Sequence, residues 1–267
     1  MDSRIEIRPG RNIKIYIHKN LSSQAVAFLI HGLGGRGAQW HNQIEVLKRH
    51  YSVIVPDLLG HGLSDKPIPE KNNPFSFHEF EQDLDVIFNR YATDQNIIMG
   101  HSFGGALATA LAMEHQDKIQ KLILIAPTPC APSMQIPFVY RLPCKIMEWI
   151  RPLLEWHFQR VAFDPEASRE LVKSEMQANK ENPMYLVCSI IKDFPNIKRI
   201  DVRKLFIPTL IILGVHDKLI LPEYSRLFYQ SLPHHQIIAI KHAAHLVILE
   251  QPKEVNAAIE NFLIAKQ

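Results

Sequence analysis

The chain has 267 residues, enough to bury one large core without disulfide or metal staples, and its 46% apolar and 21% charged residues argue against a disordered or fibrous protein. Its formal net charge is +3, with Lys and Arg interspersed among Asp and Glu, so no basic stripe forms and nucleic acid is not an expected partner. Residues 1–6 alternate charged and apolar side chains, which reads as the start of a strand and not as a secretory signal. Residues 4–8 and 12–18 bracket Pro9-Gly10 and predict an antiparallel hairpin.

After the hairpin the pattern changes. Short apolar runs at 25–30, 52–56, 96–99, 121–125, 209–213 and 236–240 predict parallel strands buried on both faces. Helix-period segments fall between or after them at 40–50, 77–91, 102–115, 222–231 and 252–265. Strands alternating with helices imply a layered α/β sheet with right-handed crossovers. The longest apolar run, 205–215, is broken by Pro208 and Gly214 and is far shorter than the roughly 20 residues that span a bilayer. Three cysteines, Cys130, Cys144 and Cys188, lack metal or redox spacing and fit reduced thiols, so a cytoplasmic location is expected.

Between the strand ending near Ala126 and the one starting near Pro208 lie roughly 75 residues, too many for a loop. Asp164-Pro165 and Asn182-Pro183 each place a capping side chain before a proline suited to the first helical position, predicting helices there. The expected organisation is a core formed by 1–127 and 207–267, with 128–206 as an inserted helical cap. Phe138, Ile146, Trp149, Ile150, Leu153, Leu154, Trp156 and Phe158 make the start of that cap strongly apolar, interrupted by Pro143 and Pro152. Packing within the cap is the plainer account; a roof over substrate or a lipid-facing surface is the sharper one.

Chemistry points to Gly100-His101-Ser102-Phe103-Gly104, where a short apolar strand runs into a glycine-framed serine and then into a helix pattern. Such a turn exposes and positions a serine hydroxyl; a helix N-cap is the ordinary alternative for Ser102. The loop after strand 209–213 carries Asp217, at a strand's carboxyl end where open α/β sheets place their chemistry. The next strand ends in Lys241-His242-Ala243-Ala244-His245. A serine needs a base and the base needs an acid to orient it, which Ser102, His245 and Asp217 would supply. A turn residue is the plain alternative for Asp217, and a surface position for His242.

Here the chain resembles the α/β-hydrolase superfamily over nearly its whole length. The order Ser102, Asp217, His245 is that family's triad order. His31-Gly32-Leu33-Gly34-Gly35 before Trp40 is similar to its first oxyanion segment, and Pro56-Asp57-Leu58-Leu59-Gly60-His61-Gly62-Leu63-Ser64 to its next signature loop. His245 also precedes Glu250 and Pro252 at the family's usual spacing. Finer similarities at 89–92, 215–218 and 249–256 resemble the abhydrolase-domain-containing proteins. One departure is Ala244, where the family usually has glycine; a positive φ there would strain alanine.

The resemblance implies an α/β-hydrolase fold with an inserted cap, Ser102 as nucleophile, His245 as base and Asp217 as its orienting acid. The backbone amides of Leu33 and Phe103 would hold an oxyanion. His31, Asp57, His61 and His101 are expected to serve loop hydrogen bonding and packing. A serine at this turn excludes the family's aspartate-nucleophile chemistry. The leading expectation is a carboxylic ester hydrolase for apolar acyl groups, a monoacylglycerol or related lipid being one such ester, with no metal or organic cofactor and with peripheral membrane contact as an open partner class. Alternatives are carbon–carbon hydrolysis of a dienoic diketo acid or acyl transfer, with Arg141, Lys145, Arg151 or Arg160 meeting an anion, and a non-catalytic binding protein with a vestigial site.

Overall fold

The computed structural model describes residues 2–130, 139, 142–197 and 199–265. The first two strands, β1 (Asp2–Arg8) and β2 (Arg11–His18), form the predicted hairpin, with Ile5 opposite Ile13. They lead into β3 (Val26–Ile30), α1 (His41–Leu47), β4 (Ser52–Pro56), α2 (Phe77–Tyr91), β5 (Asn96–His101), α3 (Phe103–Glu114) and β6 (Ile119–Ile125). Among the described residues the next α-helices are α4 (Cys144–Trp149), α5 (Arg151–Ala162), α6 (Arg169–Lys180) and α7 (Met184–Asp193). The chain then resumes alternation with β7 (Thr209–Gly214), α8 (Pro222–Tyr229), β8 (His235–Ile240), α9 (Val247–Glu250) and α10 (Pro252–Ile264).

All eight strands join one sheet in the order β1-β2-β4-β3-β5-β6-β7-β8. The β1–β2 and β2–β4 pairs are antiparallel and the others are parallel. This is an α/β-hydrolase fold, a mostly parallel sheet with helices on both faces.

The two-residue period of the central strands divides the core into two layers. Phe28, Ile98 and Leu122 face one way with Phe80, Leu84 and Leu107 of α2 and α3. Leu29, Met99 and Ile123 face the other way with Ile44, Val255 and Ile259 of α1 and α10. Ten of the twelve α3 residues are buried, because this helix sits between the sheet, α2 and the segment after β6. Its lack of a polar face is therefore expected.

Three details differ from the sequence expectation. The last strand, β8, is an edge strand with mostly exposed or half-exposed residues, so only its β7 side is paired. Asp164 does not cap a helix: its side chain accepts from Glu166 N in a turn, and α6 begins later, capped by Ser168 accepting from Leu171 N. Pro183 is itself the N-cap of α7, while Asn182 donates to Gly34 O at 2.8 Å. In both cases a long-range or turn partner took the polar side chain that local sequence had assigned to a helix end.

Phe138 and Arg141 lie outside the described residues. Cys130, Cys144 and Cys188 are all unpaired, with the first and last buried. Burial pushes the Cys188 thiol up to about 12. No helix among the described residues is long and apolar enough to cross a membrane.

Candidate active site

Ser102 stands between β5 and α3 with φ 54° and ψ −122°, a backbone turn that a non-glycine residue seldom adopts. The glycines around it make the turn possible. A Cβ on Gly100 would lie 2.3 Å from Gly104 O, and one on Gly104 would lie 2.3 Å from Ile30 O. The turn is fixed by Ser102 N–H donating to Ile125 O at 2.9 Å and by Ser102 O accepting from Gly105 and Thr128. Ser102 occupies the N-cap position of α3, but its hydroxyl makes no capping bond there.

Instead, Ser102 Oγ lies 2.8 Å from His245 Nε2, and His245 Nδ1 lies 2.8 Å from Asp217 Oδ2. Both Asp217 and His245 are buried. The carboxylate accepts only, so Nδ1 carries the imidazole proton and Nε2 is free to accept from the Ser102 hydroxyl. The other Asp217 oxygen accepts from Leu219 N and Ile220 N, each at 2.9 Å. Asp217 is thus both the turn residue of its loop and the partner of His245.

His245 is held through its main chain as well. Its N–H donates to Ala162 O at 3.1 Å, and Leu246 N–H reaches the same carbonyl at 3.3 Å. Its carbonyl accepts from His101 Nε2–H at 2.8 Å. Burial pushes the His101 pKa down to about 3, with His245 adding to the effect, so the ring is neutral beside the site. Glu250 accepts from Ala244 N at 2.8 Å and from Asp164 N at 2.5 Å, tying the histidine loop to the segment after α5. Burial pushes its carboxyl above the usual range, against the pull of those two amides. Ala244 is not among the positive-φ residues; the left-handed position in this loop is His242.

The glycine-rich loop after β3 closes the opposite side. A Cβ on Gly32 would lie 2.8 Å from Ser102 Cβ, which brings the Leu33 segment against the serine. Phe103 is the first residue of α3, so its N–H has no intrahelical acceptor. His31 supports the loop: Leu58 N donates to Nε2 at 2.9 Å, and Nδ1–H donates to Gly32 O at 2.8 Å. Asp57 accepts from Gly37 N and Leu63 N. His61 is buried against the His31 ring, and His242 is exposed and paired with Glu166 at 3.0 Å.

Over Ser102 lies a cavity of about 300 Å³ whose lining includes Leu33, Phe103 and His245. Leu154, Phe158, Met184, Val187 and Ile191 of α5 and α7 give it an apolar wall. Arg151, the single Lys or Arg among the described lining residues, is bound by Glu155 at 2.8 Å and by the carbonyls of Lys180 and Asn182. Glu175 is neutralised by Arg36 at 2.7 Å and accepts a hydrogen bond from Gln39 Nε2 at 2.8 Å. Sequence reasoning missed these lining residues of α6 and α7, since no motif marks a wall residue. Among the described residues, the group whose donor atoms converge as a metal site would require is Asp85, Glu114 and His115, none of which lines this cavity.

Residues 28–154 match the alpha/beta hydrolase fold family. Protein ABHD8 of Bos taurus is 31% identical over 96% of the chain and 61% of its own length. The chain thus spans about three-fifths of the length of the ABHD8 relatives it matches. A pimeloyl-[acyl-carrier protein] methyl ester esterase of Vibrio atlanticus is 25% identical over 81% of the chain and 86% of its own length. A thermophilic esterase from Thermogutta terrifontis superposes with a TM-score of 0.81 at 24% identity, covering 98% of each chain. By its fold, its family match and its similarity to these relatives over nearly its whole length, the chain belongs to the α/β-hydrolase fold family.

Proposed function

We propose that the protein is a serine-dependent carboxylic ester hydrolase acting on neutral esters with an apolar acyl group, a monoacylglycerol or related lipid among them. The observation that carries this reading is the unbroken line Ser102 Oγ, His245 Nε2, His245 Nδ1, Asp217 Oδ2, with 2.8 Å at each contact. In this reading Ser102 Oγ attacks the ester carbonyl carbon while its proton passes to His245 Nε2. The carbonyl oxygen becomes an oxyanion held by the Leu33 and Phe103 amides. Collapse expels the alkoxide, which takes the proton from His245 and leaves as the alcohol. A water then gives a proton to His245 and attacks the acyl-serine, and the proton returns to Ser102 Oγ as the carboxylic acid departs. Asp217 keeps the imidazole in one tautomer and stabilises its charged form.

Two features support a neutral, apolar substrate. Leu154, Phe158, Met184, Val187 and Ile191 present an apolar wall, and the lining residues Arg151 and Glu175 are each already paired with an opposite charge inside the protein. An anionic diketo acid would need an unpaired cation in the lining. Lys145 and Arg160, the remaining described candidates for that role, do not line the cavity.

The test is a series of p-nitrophenyl esters of increasing chain length, with labelling by a fluorophosphonate probe. Labelling of the parent protein and not of Ser102→Ala, with turnover of medium or long chains exceeding that of the acetate, is expected. Absence of labelling overturns the serine mechanism. A preference for acetate overturns the apolar-acyl assignment.

A further inference from the structure

The apolar stretch at the start of the inserted helices divides between two faces. Leu154 and Phe158 turn inward to the cavity. Ile146, Trp149, Leu153 and Trp156 turn outward, and Trp149 and Leu153 are 83% and 61% exposed. Their spacing of three, four and three residues places them in one stripe along α4 and α5. Ile150, at φ −91° and ψ 7°, ends α4 and begins α5, closing the last turn of one through Ile146 O and opening the first turn of the other through Leu154 N, so the two short helices follow each other directly. Isolated exposed apolar residues are ordinary, whereas two tryptophans, a leucine and an isoleucine aligned on one surface form an interaction face.

Charge around the stripe indicates its occupant. The acidic neighbours Glu148 and Glu155 both pair with Arg151, at 3.6 and 2.8 Å. Lys145 and Arg160 have no carboxylate partner among the described residues, and the Arg160 guanidinium lies 4.8 Å from the centre of the Trp156 ring. Paired acids, unpaired bases and tryptophan are the composition that enters the headgroup boundary of an anionic bilayer. We propose that the outer face of α4 and α5 docks on an anionic lipid surface. The helix that would rest on the lipid then also forms the cavity wall, so an apolar ligand leaving the bilayer meets Leu154 and Phe158 on the other side of the same helix.

The chain carries its own reporter. Trp40 is fully buried, leaving Trp149 and Trp156 to respond to a change of solvent. Tryptophan emission and vesicle flotation are measured on the Ser102→Ala protein, which separates docking from the proposed chemistry. The vesicles are phosphatidylcholine alone or phosphatidylcholine with phosphatidylserine. A blue shift and flotation are expected with the anionic vesicles, weakened by salt. Lys145→Ala should lower the affinity about fivefold, and Trp149→Ala with Leu153→Ala at least about tenfold. These side chains are exposed, so far-ultraviolet circular dichroism should be unchanged. Absence of flotation overturns the proposal, as does equal binding by the double variant. A concentration-dependent dimer abolished by the double variant, without vesicle binding, assigns the stripe to a second copy of the chain and also overturns it.

Discussion

The His101 Nε2–H donates to the main-chain carbonyl of His245 at 2.8 Å, so the residue preceding the candidate nucleophile holds in place the residue that would activate it. The two rings lie 5.0 Å apart, centre to centre. Because burial keeps His101 neutral, it fixes His245 without placing a positive charge beside it.

That neutrality makes stability depend on pH. His101 protonates near 6.5 in the unfolded chain and only near about 3 in the fold, so unfolding below pH 6.5 takes up a proton. Stability from this source is complete above pH 6.5 and is lost as pH falls towards 3, by on the order of 5 kcal/mol over the whole window. His31 and His61, also pushed down mainly by burial, act in the same direction. His101→Gln retains a donor for the His245 carbonyl and should flatten the acid limb by about one proton near pH 5. Unfolding midpoints measured across this range check the slope.

Asp217→Asn should lower kcat by about 10⁴-fold with little change in the unfolding midpoint. An amide side chain can donate to His245 Nδ1, which would leave the proton on Nε2 and remove the acceptor that Ser102 needs. Ester turnover and urea unfolding on the same preparation separate this effect from misfolding.

Gly104→Ala should destabilise the protein by about 3 kcal/mol and abolish turnover. The added carbon would meet the backbone oxygens of Ile30 and His31, at 2.3 and 2.4 Å, so relief requires moving β3 and with it the Leu33 loop away from Ser102. A lowered urea midpoint together with lost fluorophosphonate labelling is the expected result.

Ala244→Gly should leave kcat unchanged and cost about 0.5–1 kcal/mol of stability. Restoring the family's usual glycine gives no relief, because position 244 does not have a positive φ. Glycine would increase the freedom of the unfolded chain and remove a fully buried methyl. Thermal unfolding compared with the parent protein checks the sign.

Much of this architecture was legible in the sequence because its signals are periodic or sterically forced. The alternation of strands and helices gave the layered sheet, and Gly100 and Gly104 marked a turn that admits no side chain at either position. What local sequence could not reveal was the destination of polar side chains with distant partners. Asn182 and Asp164 have the composition of helix caps, yet one reaches Gly34 across 148 positions and the other receives His216 and an amide of its own turn. The edge position of β8 was hidden for a similar reason, since an apolar run does not disclose how many neighbours a strand will have. The cavity wall depends on how α5 and α7 pack, which no motif encodes.

The two hydrogen bonds that Ala162 O accepts from His245 and Leu246 give the inserted helices a share in the geometry of the hydrolase core. Lys218 N, next to Asp217, donates to Val161 O in the same way. The end of α5 is therefore a splint for the loops that carry Asp217 and His245. Exchanging this insertion for that of a relative would exchange part of the scaffold of the Ser102, His245 and Asp217 line along with the cavity wall. A graft that preserves the junction at residues 161 and 162 is the modular unit of this fold, and one that cuts inside it is not.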